Sequence, residues 1–152
     1  MTTQAGKLVA VCISSGGIPK RSVDAARITT KGLEGDEHAH DKHNRLDRAV
    51  SLFDWEILTQ LQGEGYQLYP GAIGENLTVV GLDVQRLSPG TLLEIGNVLL
   101  RLEQPRKPCY VLDAIDPSLK HVIVGRCGYM ASVVREGMID QSMLVQVFSH
   151  AS

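Results

Sequence analysis

The sequence predicts a single, mainly β domain: a barrel of short strands carrying a few short helices. Three observations predict it. A chain of 152 residues suits one domain with a sizeable core. Fifteen glycines against two phenylalanines and one tryptophan imply many tight turns between short elements. The apolar runs are of strand length, and two of them flank Gly96-Asn97, a dipeptide suited to a hairpin turn.

Leu8 to Ile13 is an apolar run ending at Ser-Ser-Gly-Gly, which reads as a buried first strand with Cys12 in the core. Ser22 to Thr29 has the weak alternation of extended chain. Lys31 to Arg48 is the longest polar stretch, with two glycines and three histidines, and a loop of that length inside a compact domain is often functional. Val50 to Phe53 reads as a strand. Asp54 then opens the clearest helix, with Trp55, Leu58 and Leu61 on one face and Gly63 and Gly65 to stop it. Tyr69 to Asn76 is a glycine-rich turn region, and Leu77 to Val80 returns to strand. Leu92 to Ile95 and Val98 to Leu102 form the hairpin. Val111 to Ile115 and Ser118 to Val124 suit short helices. Tyr129 to Arg135, Glu136-Gly137 and Met138-Ile139 suggest a second hairpin, and Met143 to Phe148 a last strand. No repeat, low-complexity tract or linker divides the chain.

Charge and composition narrow the classes of function. A net charge of −2 gives no electrostatic case for nucleic-acid binding. No apolar run reaches membrane-spanning length, and Met1 to Lys7 has no secretory hydrophobic region. The three cysteines are odd in number and scattered, which disfavours a disulfide framework or a structural zinc site. The expectation is a reduced, cytoplasmic, soluble domain. There is no P-loop, no dinucleotide-binding GxGxxG after a strand and no G-x-S-x-G elbow.

Chemistry concentrates in three clusters. In Gln104-Pro105-Arg106-Lys107-Pro108-Cys109-Tyr110, two prolines stiffen a loop that holds two cations and one thiol. Neighbouring cations favour a thiolate, the form that attacks electrophiles and binds soft metals. The plainer reading is a buried cysteine after an ordinary turn. The other clusters are Gly32-Leu33-Glu34-Gly35-Asp36-Glu37-His38 and Pro70-Gly71-Ala72-Ile73-Gly74-Glu75-Asn76-Leu77. In this order and spacing the three resemble the MOSC domain, the module at the C-terminus of molybdenum cofactor sulfurases. It also occurs as stand-alone bacterial proteins and in molybdenum reductases of N-hydroxylated compounds. Gly125-Arg126-Cys127-Gly128-Tyr129-Met130-Ala131, followed by Glu136-Gly137, is similar to the family's closing element. The resemblance covers residues 7 to 148, so the whole chain, 1–152, is read as one such domain.

The resemblance implies a closed, mostly β barrel of the kind found in pyruvate kinase. It also implies a molybdenum–molybdopterin ligand, the molybdenum cofactor, with Cys109 as the thiolate on the metal or the carrier of transferable sulfur. A thiolate suits a thiophilic metal and becomes a persulfide on accepting sulfur. The cofactor's phosphate needs cationic donors, for which Arg106, Lys107, Lys31, Lys42, Arg45 and Arg27 are candidates beside the alternative of plain surface cations. Arg106 leads because it shares the cysteine's stiff loop. Gly74 brings backbone close to a ligand, and Glu75 and Asn76 follow it, Asn76 being the favoured hydrogen-bonding residue; turn capping is the alternative. Asp36 and His38 join the same pocket or serve their own turn.

His38-Ala39-His40, with His43 close by, invites a cupin-like mononuclear metal site. The glutamate of that pattern should fall at 44 or 45, which are Asn44 and Arg45, so a cupin site is disfavoured. A Cys109–His121 hydrolase pair is weaker still, because His121 lies in a short helical stretch a dozen residues on. Two functional readings follow from the resemblance. One is sulfur or cofactor handling, or reduction of an N-hydroxylated substrate with electrons from separate proteins, since the chain has no flavin motif and no iron–sulfur cysteine set. The other is a non-catalytic carrier that delivers the cofactor to a partner protein.

Overall fold

The computed structural model describes residues 3–37 and 46–148. The described strands are β1 (Thr3–Ile13), β2 (Arg21–Val23), β3 (Ala25–Thr29), β4 (Gly32–Leu33), β5 (Val50–Asp54), β6 (Leu77–Val80), β7 (Leu92–Ile95), β8 (Val98–Pro105), β9 (Tyr129–Arg135), β10 (Gly137–Asp140) and β11 (Leu144–Phe148). Two helices join them, α1 (Trp55–Gly63) and α2 (Leu119–Val122), with 3-10 turns at Leu46–Arg48, Val84–Arg86 and Tyr110–Ala114. Strand follows strand in the order β1-β11-β7-β8-β9-β5-β6, and β6 pairs back onto β1, so seven strands close a barrel. Every barrel pairing is antiparallel except β5 with β6, whose parallel crossover is carried by α1. The mainly β barrel expected from the turn-rich composition is the observed architecture.

Strand β1 closes the barrel because it is long enough to serve several neighbours. Thr3 to Lys7 pair with β11, Lys7 to Val11 with β6, and Val11 to Ile13 with the short β2. Alternation then decides what each strand buries. On β5, Val50 and Leu52 enter the barrel core with Leu77, Leu93, Leu100 and Tyr129. Ser51 and Phe53 face outward, and Phe53 joins a second apolar layer of Leu58, Leu61, Ile73, Leu112, Leu119, Ile123 and Cys127. Both faces of β5 are therefore covered, and all five of its residues are buried. Among the described residues no helix is long and apolar enough to cross a membrane.

One local expectation is corrected. The second hairpin does not form. Both edges of β9 are already taken, by β8 and by β5, so β10 pairs instead with β3 in a separate sheet of order β10-β3-β4. Asp54 occupies the position before α1 but makes no side-chain cap. Its carboxylate turns to the 3-10 turn at Val84–Arg86, accepting hydrogen bonds from the Val84 N–H at 2.9 Å and the Gln85 N–H at 3.1 Å.

Burial pushes the Asp54 carboxyl up to about 6, against the two hydrogen bonds that lower it. The native state therefore holds this proton more tightly than the unfolded chain. The resulting stability is fully present below the ordinary value of 3.8 and is lost as pH rises through about 6. Its size is on the order of 2–3 kcal/mol. Asp54→Asn is expected to flatten the pH dependence of urea-unfolding stability between those two values relative to wild type. Parallel pH profiles for the two proteins would refute the assignment.

Candidate functional site

A cavity of about 360 Å³ lies on the outer face of the barrel, beside the second apolar layer. Its floor follows from strand register. Ser51 on β5 pairs with Met130 on β9, and Met130 pairs with Gln104 on β8 across a register shift after Leu102. Ser51 lies between Val50 and Leu52, and Met130 between Tyr129 and Ala131, so their neighbours fill the barrel while they face outward. Ser51, Met130 and Gln104 all line the cavity.

One wall is the proline-bounded loop. Strand β8 runs out at Pro105, and the Arg106 N–H donates to the Gly128 carbonyl at 2.8 Å, which holds the loop against the start of β9. Arg106, Lys107, Pro108 and Cys109 line the cavity. Cys109 is extended, with φ −142° and ψ 177°, and its thiol is free and exposed. The structure thus excludes a buried residue at Cys109 and reserves that role for Cys12 and Cys127. Burial pushes the Cys12 thiol up to about 11 and the Cys127 thiol upward as well, so neither offers thiolate readily. Downstream, Leu112, Leu119 and Ile123 anchor the following turn and α2 in the second apolar layer.

The opposite wall is the glycine-rich turn with the segment after β1. Gly74 lines the cavity with φ +96°, and an added Cβ would stand 2.8 Å from Ile18 and 3.4 Å from the Arg106 Nη2. The missing side chain makes room for the Arg106 guanidinium, whose Nη2 donates to the Ile73 carbonyl at 2.7 Å. Asn76 also lines the cavity, but its amide is engaged within the protein. Its Oδ1 accepts from the Ser51 N–H at 3.0 Å and the Ser51 hydroxyl at 3.3 Å. Its Nδ2 donates to the Cys12 carbonyl at 3.2 Å and the Asp36 Oδ2 at 2.9 Å. These are all the donor and acceptor positions an amide commonly fills, so Asn76 shapes the wall rather than presenting a free donor.

Asp36 and Glu75 lie behind the lining. Asp36 accepts from the Lys20 Nζ at 2.7 Å through both oxygens; its Oδ1 also accepts from the Ser14 N–H at 2.9 Å and its Oδ2 from the Asn76 Nδ2 at 2.9 Å. Its side chain is only 2% exposed. It therefore positions Lys20, a cavity-lining cation that no motif marks in the sequence. Glu75 is fully buried; its Oε2 accepts from the Thr78 hydroxyl at 2.9 Å and its Oε1 has no partner among the described residues. Burial holds its carboxyl above the usual range, against the opposing effect of its hydrogen bonds and of Arg106.

Other candidates fall elsewhere. Lys31 is exposed at the β3–β4 turn and does not line the cavity. Arg27 is directed to Glu34 at 3.8 Å on the same surface. His121 is exposed on α2 and is likewise not part of the lining. His38, His40, Lys42, His43 and Arg45 lie outside the described residues. In the closing element, Arg126 grips both carboxylate oxygens of Glu64 at 2.8 Å, which ties the end of α2 to α1 instead of serving the cavity.

Two donors remain unsatisfied. The Arg48 Nε and the Arg106 Nη1 are buried without a hydrogen-bond partner among the described residues, and both side chains line the cavity. A buried donor left unpaired costs about 1–3 kcal/mol, and more when charged, so a bound group with acceptor oxygens would recover that loss. A thiol at the rim and two guanidinium donors in the wall match a ligand with a soft metal at one end and an anionic group at the other. Among the described residues no cluster of His, Cys, Asp and Glu could hold a metal ion by itself. A metal here would need most of its ligands from a group that carries it.

Comparison with known proteins agrees with the motifs. A model of the MOSC domain matches residues 38–146. Protein YiiM of Escherichia coli strain K12 is 30% identical over 145 residues, which are 89% of this chain and 65% of that protein. A reductase of Gibberella moniliformis is 32% identical over 119 residues, or 71% of this chain. The chain spans 65% of the first relative's length and 21% of the second's. In fold it is similar to the YuaD protein of Bacillus subtilis, with a TM-score of 0.84, 18% identity and 99% of both chains covered. It is also similar to YiiM of Geobacillus stearothermophilus, with a TM-score of 0.78 and 23% identity over 97% of this chain and 76% of the other.

Proposed function

The chain belongs to the MOSC domain family, and from that premise we propose that it binds molybdenum cofactor at the cavity beside Cys109 and acts there as a reductase component. The observation that carries the proposal is the exposed Cys109 thiol on the rim of a cavity whose wall holds two buried, unpartnered guanidinium donors. The residues present fit the group: one soft donor for the metal, cationic donors for the phosphate, and a concave volume of the usual size for a cofactor. When bound, the cofactor supplies a two-electron redox metal that can remove oxygen from an N-hydroxylated substrate.

The chain's own residues bind and orient. Cys109 supplies the one protein sulfur, and the two prolines limit the directions in which it can present that sulfur. Arg106 is fixed by Ile73 and by the space at Gly74, so it meets an anion without a large ordering cost. Lys20, already neutralised by Asp36, keeps the wall polar without adding net charge. Ile18, Val111 and Met130 give the cavity apolar surface on which a flat ring can rest. Electrons would come from a separate donor protein, as this chain has three scattered cysteines and no iron–sulfur set.

The reductase reading is preferred to a passive carrier because the Gibberella moniliformis relative, named a reductase, aligns over 71% of this chain. The test has two parts. Protein made in a host that produces the cofactor should contain near-stoichiometric molybdenum and oxidisable pterin. With a chemical electron donor it should then reduce an N-hydroxylated base or an amidoxime. Cofactor release to an apo-enzyme without any such turnover would favour the carrier. Protein without molybdenum or pterin would end both readings.

A further inference from the structure

We propose that Arg48 and Arg106 together form a tetrahedral-oxyanion subsite in the cavity wall, one that takes a phosphate monoester. The pair is singled out by elimination among the described lining cations. Lys20 is already held by both oxygens of Asp36 at 2.7 Å, and Lys107 is exposed to solvent at the rim. Arg48 and Arg106 alone among them carry a buried N–H with no partner among the described residues. Among the described residues Glu37 is the one acidic member of the lining, and it is itself exposed. Glu75 lies behind Arg106, and its own unpartnered oxygen makes no hydrogen bond to the Arg106 Nη1.

The two arginines differ in how firmly they are held. Arg106 is anchored by Nη2 on the Ile73 carbonyl, which leaves Nη1 for a ligand. Arg48 ends the 3-10 turn Leu46–Arg48, just ahead of β5, whose Ser51 is on the cavity floor. It lies outside all four motif elements, and only the closure of β5 against β9 brings it to the same cavity. A guanidinium stays charged and offers paired donors in one plane, which suits a phosphate better than a carbonyl or a neutral amide would. The subsite itself rests on these donors. Assigning the monoester to the cofactor rests on the reading above.

The probe is inorganic phosphate, titrated calorimetrically into the apo-protein made in a host that lacks the cofactor. Wild type should bind saturably, and Arg48→Met and Arg106→Met should each weaken binding about tenfold or more. Arg48→Lys keeps the charge but loses the fork and should fall between Arg48→Met and wild type, which guards against a fold defect in the truncated side chain. Arg101→Met, on the exposed face of β8, removes one charge away from the cavity and should bind like wild type. Wild type that does not saturate, or Arg48→Met that binds like wild type, overturns the subsite. Pterin retained after desalting then separates the sources. Loss of pterin in Arg48→Met assigns the phosphate to the cofactor. Full retention alongside weakened phosphate binding assigns it to a phosphorylated substrate. Wild type that lacks pterin yet binds phosphate sinks the cofactor reading while the subsite stands.

Discussion

Cys109→Ser is expected to remove nearly all molybdenum from protein made in a host that produces the cofactor, while leaving the fold intact. Serine matches cysteine in shape but is neutral at pH 7 and presents a hard oxygen where a soft metal needs sulfur. Loss of an outer hydrogen bond around a metal commonly costs 10–100-fold in affinity, so loss of the protein ligand should leave less than about a tenth of the wild-type metal. The thiol is exposed, and an exposed substitution of this kind changes stability by no more than about 0.5 kcal/mol. Cys127→Ser gives the opposite pattern. Cys127 is fully buried against Phe53 and Leu112, so a hydroxyl there costs about 1–3 kcal/mol of stability and leaves the metal content unchanged. Equal molybdenum in wild type and Cys109→Ser would rule out the ligand assignment.

Gly71→Ala is expected to be strongly destabilising. Gly71 has φ +90°, a region that costs a residue with a Cβ about 1–2 kcal/mol. The added methyl would also run into the Lys20 carbonyl and stand 3.2 Å from the Cys12 sulfur. Backbone contacted on one side and a buried side chain on the other leave little room to yield, and overpacking adds about 1–3 kcal/mol. A total near 3 kcal/mol corresponds to a fall in melting temperature of about 6–12 °C for a domain of this size. The same clash bears on Lys20, whose N–H donates to the Gly71 carbonyl at 2.8 Å, so the turn cannot yield without disturbing that hydrogen bond. A melting temperature within about 2 °C of wild type would show that the turn relaxes around the added methyl and that Gly71 is not required there.

Several elements were legible from local pattern because local interactions decide them. The strand at Leu77–Val80 and the hairpin through Gly96-Asn97 appear where alternation and turn chemistry put them. The helix after Asp54 ends at its glycine as expected. Pairing partners were not legible. Tyr129–Arg135 and Gly137–Asp140 are both strands, yet they belong to different sheets because the edges of β9 are consumed by strands distant in sequence. Asp54 opens α1 as expected, but the partners of its carboxylate, Val84 and Gln85, lie 30 and 31 residues downstream, where no local pattern marks them. In the site, Arg106, Lys107 and Cys109 share one stiff loop and reach the cavity together. Asp36, Glu75 and Asn76 belong to the same motif clusters, but hydrogen bonds and burial turn them to supporting the wall.

By itself the sequence determined the family, the barrel class and the thiol on which the proposed chemistry turns, because each rests on residue type and short spacing. The tertiary structure alone decided which cations face the cavity. Lys31 and Arg27 stay on the surface, Lys20 is neutralised by Asp36, and Arg48 joins Arg106 with a donor left unpaired. The physical reason is that an unsatisfied donor depends on everything packed around it, and that packing is set by strand pairings between residues far apart in the chain.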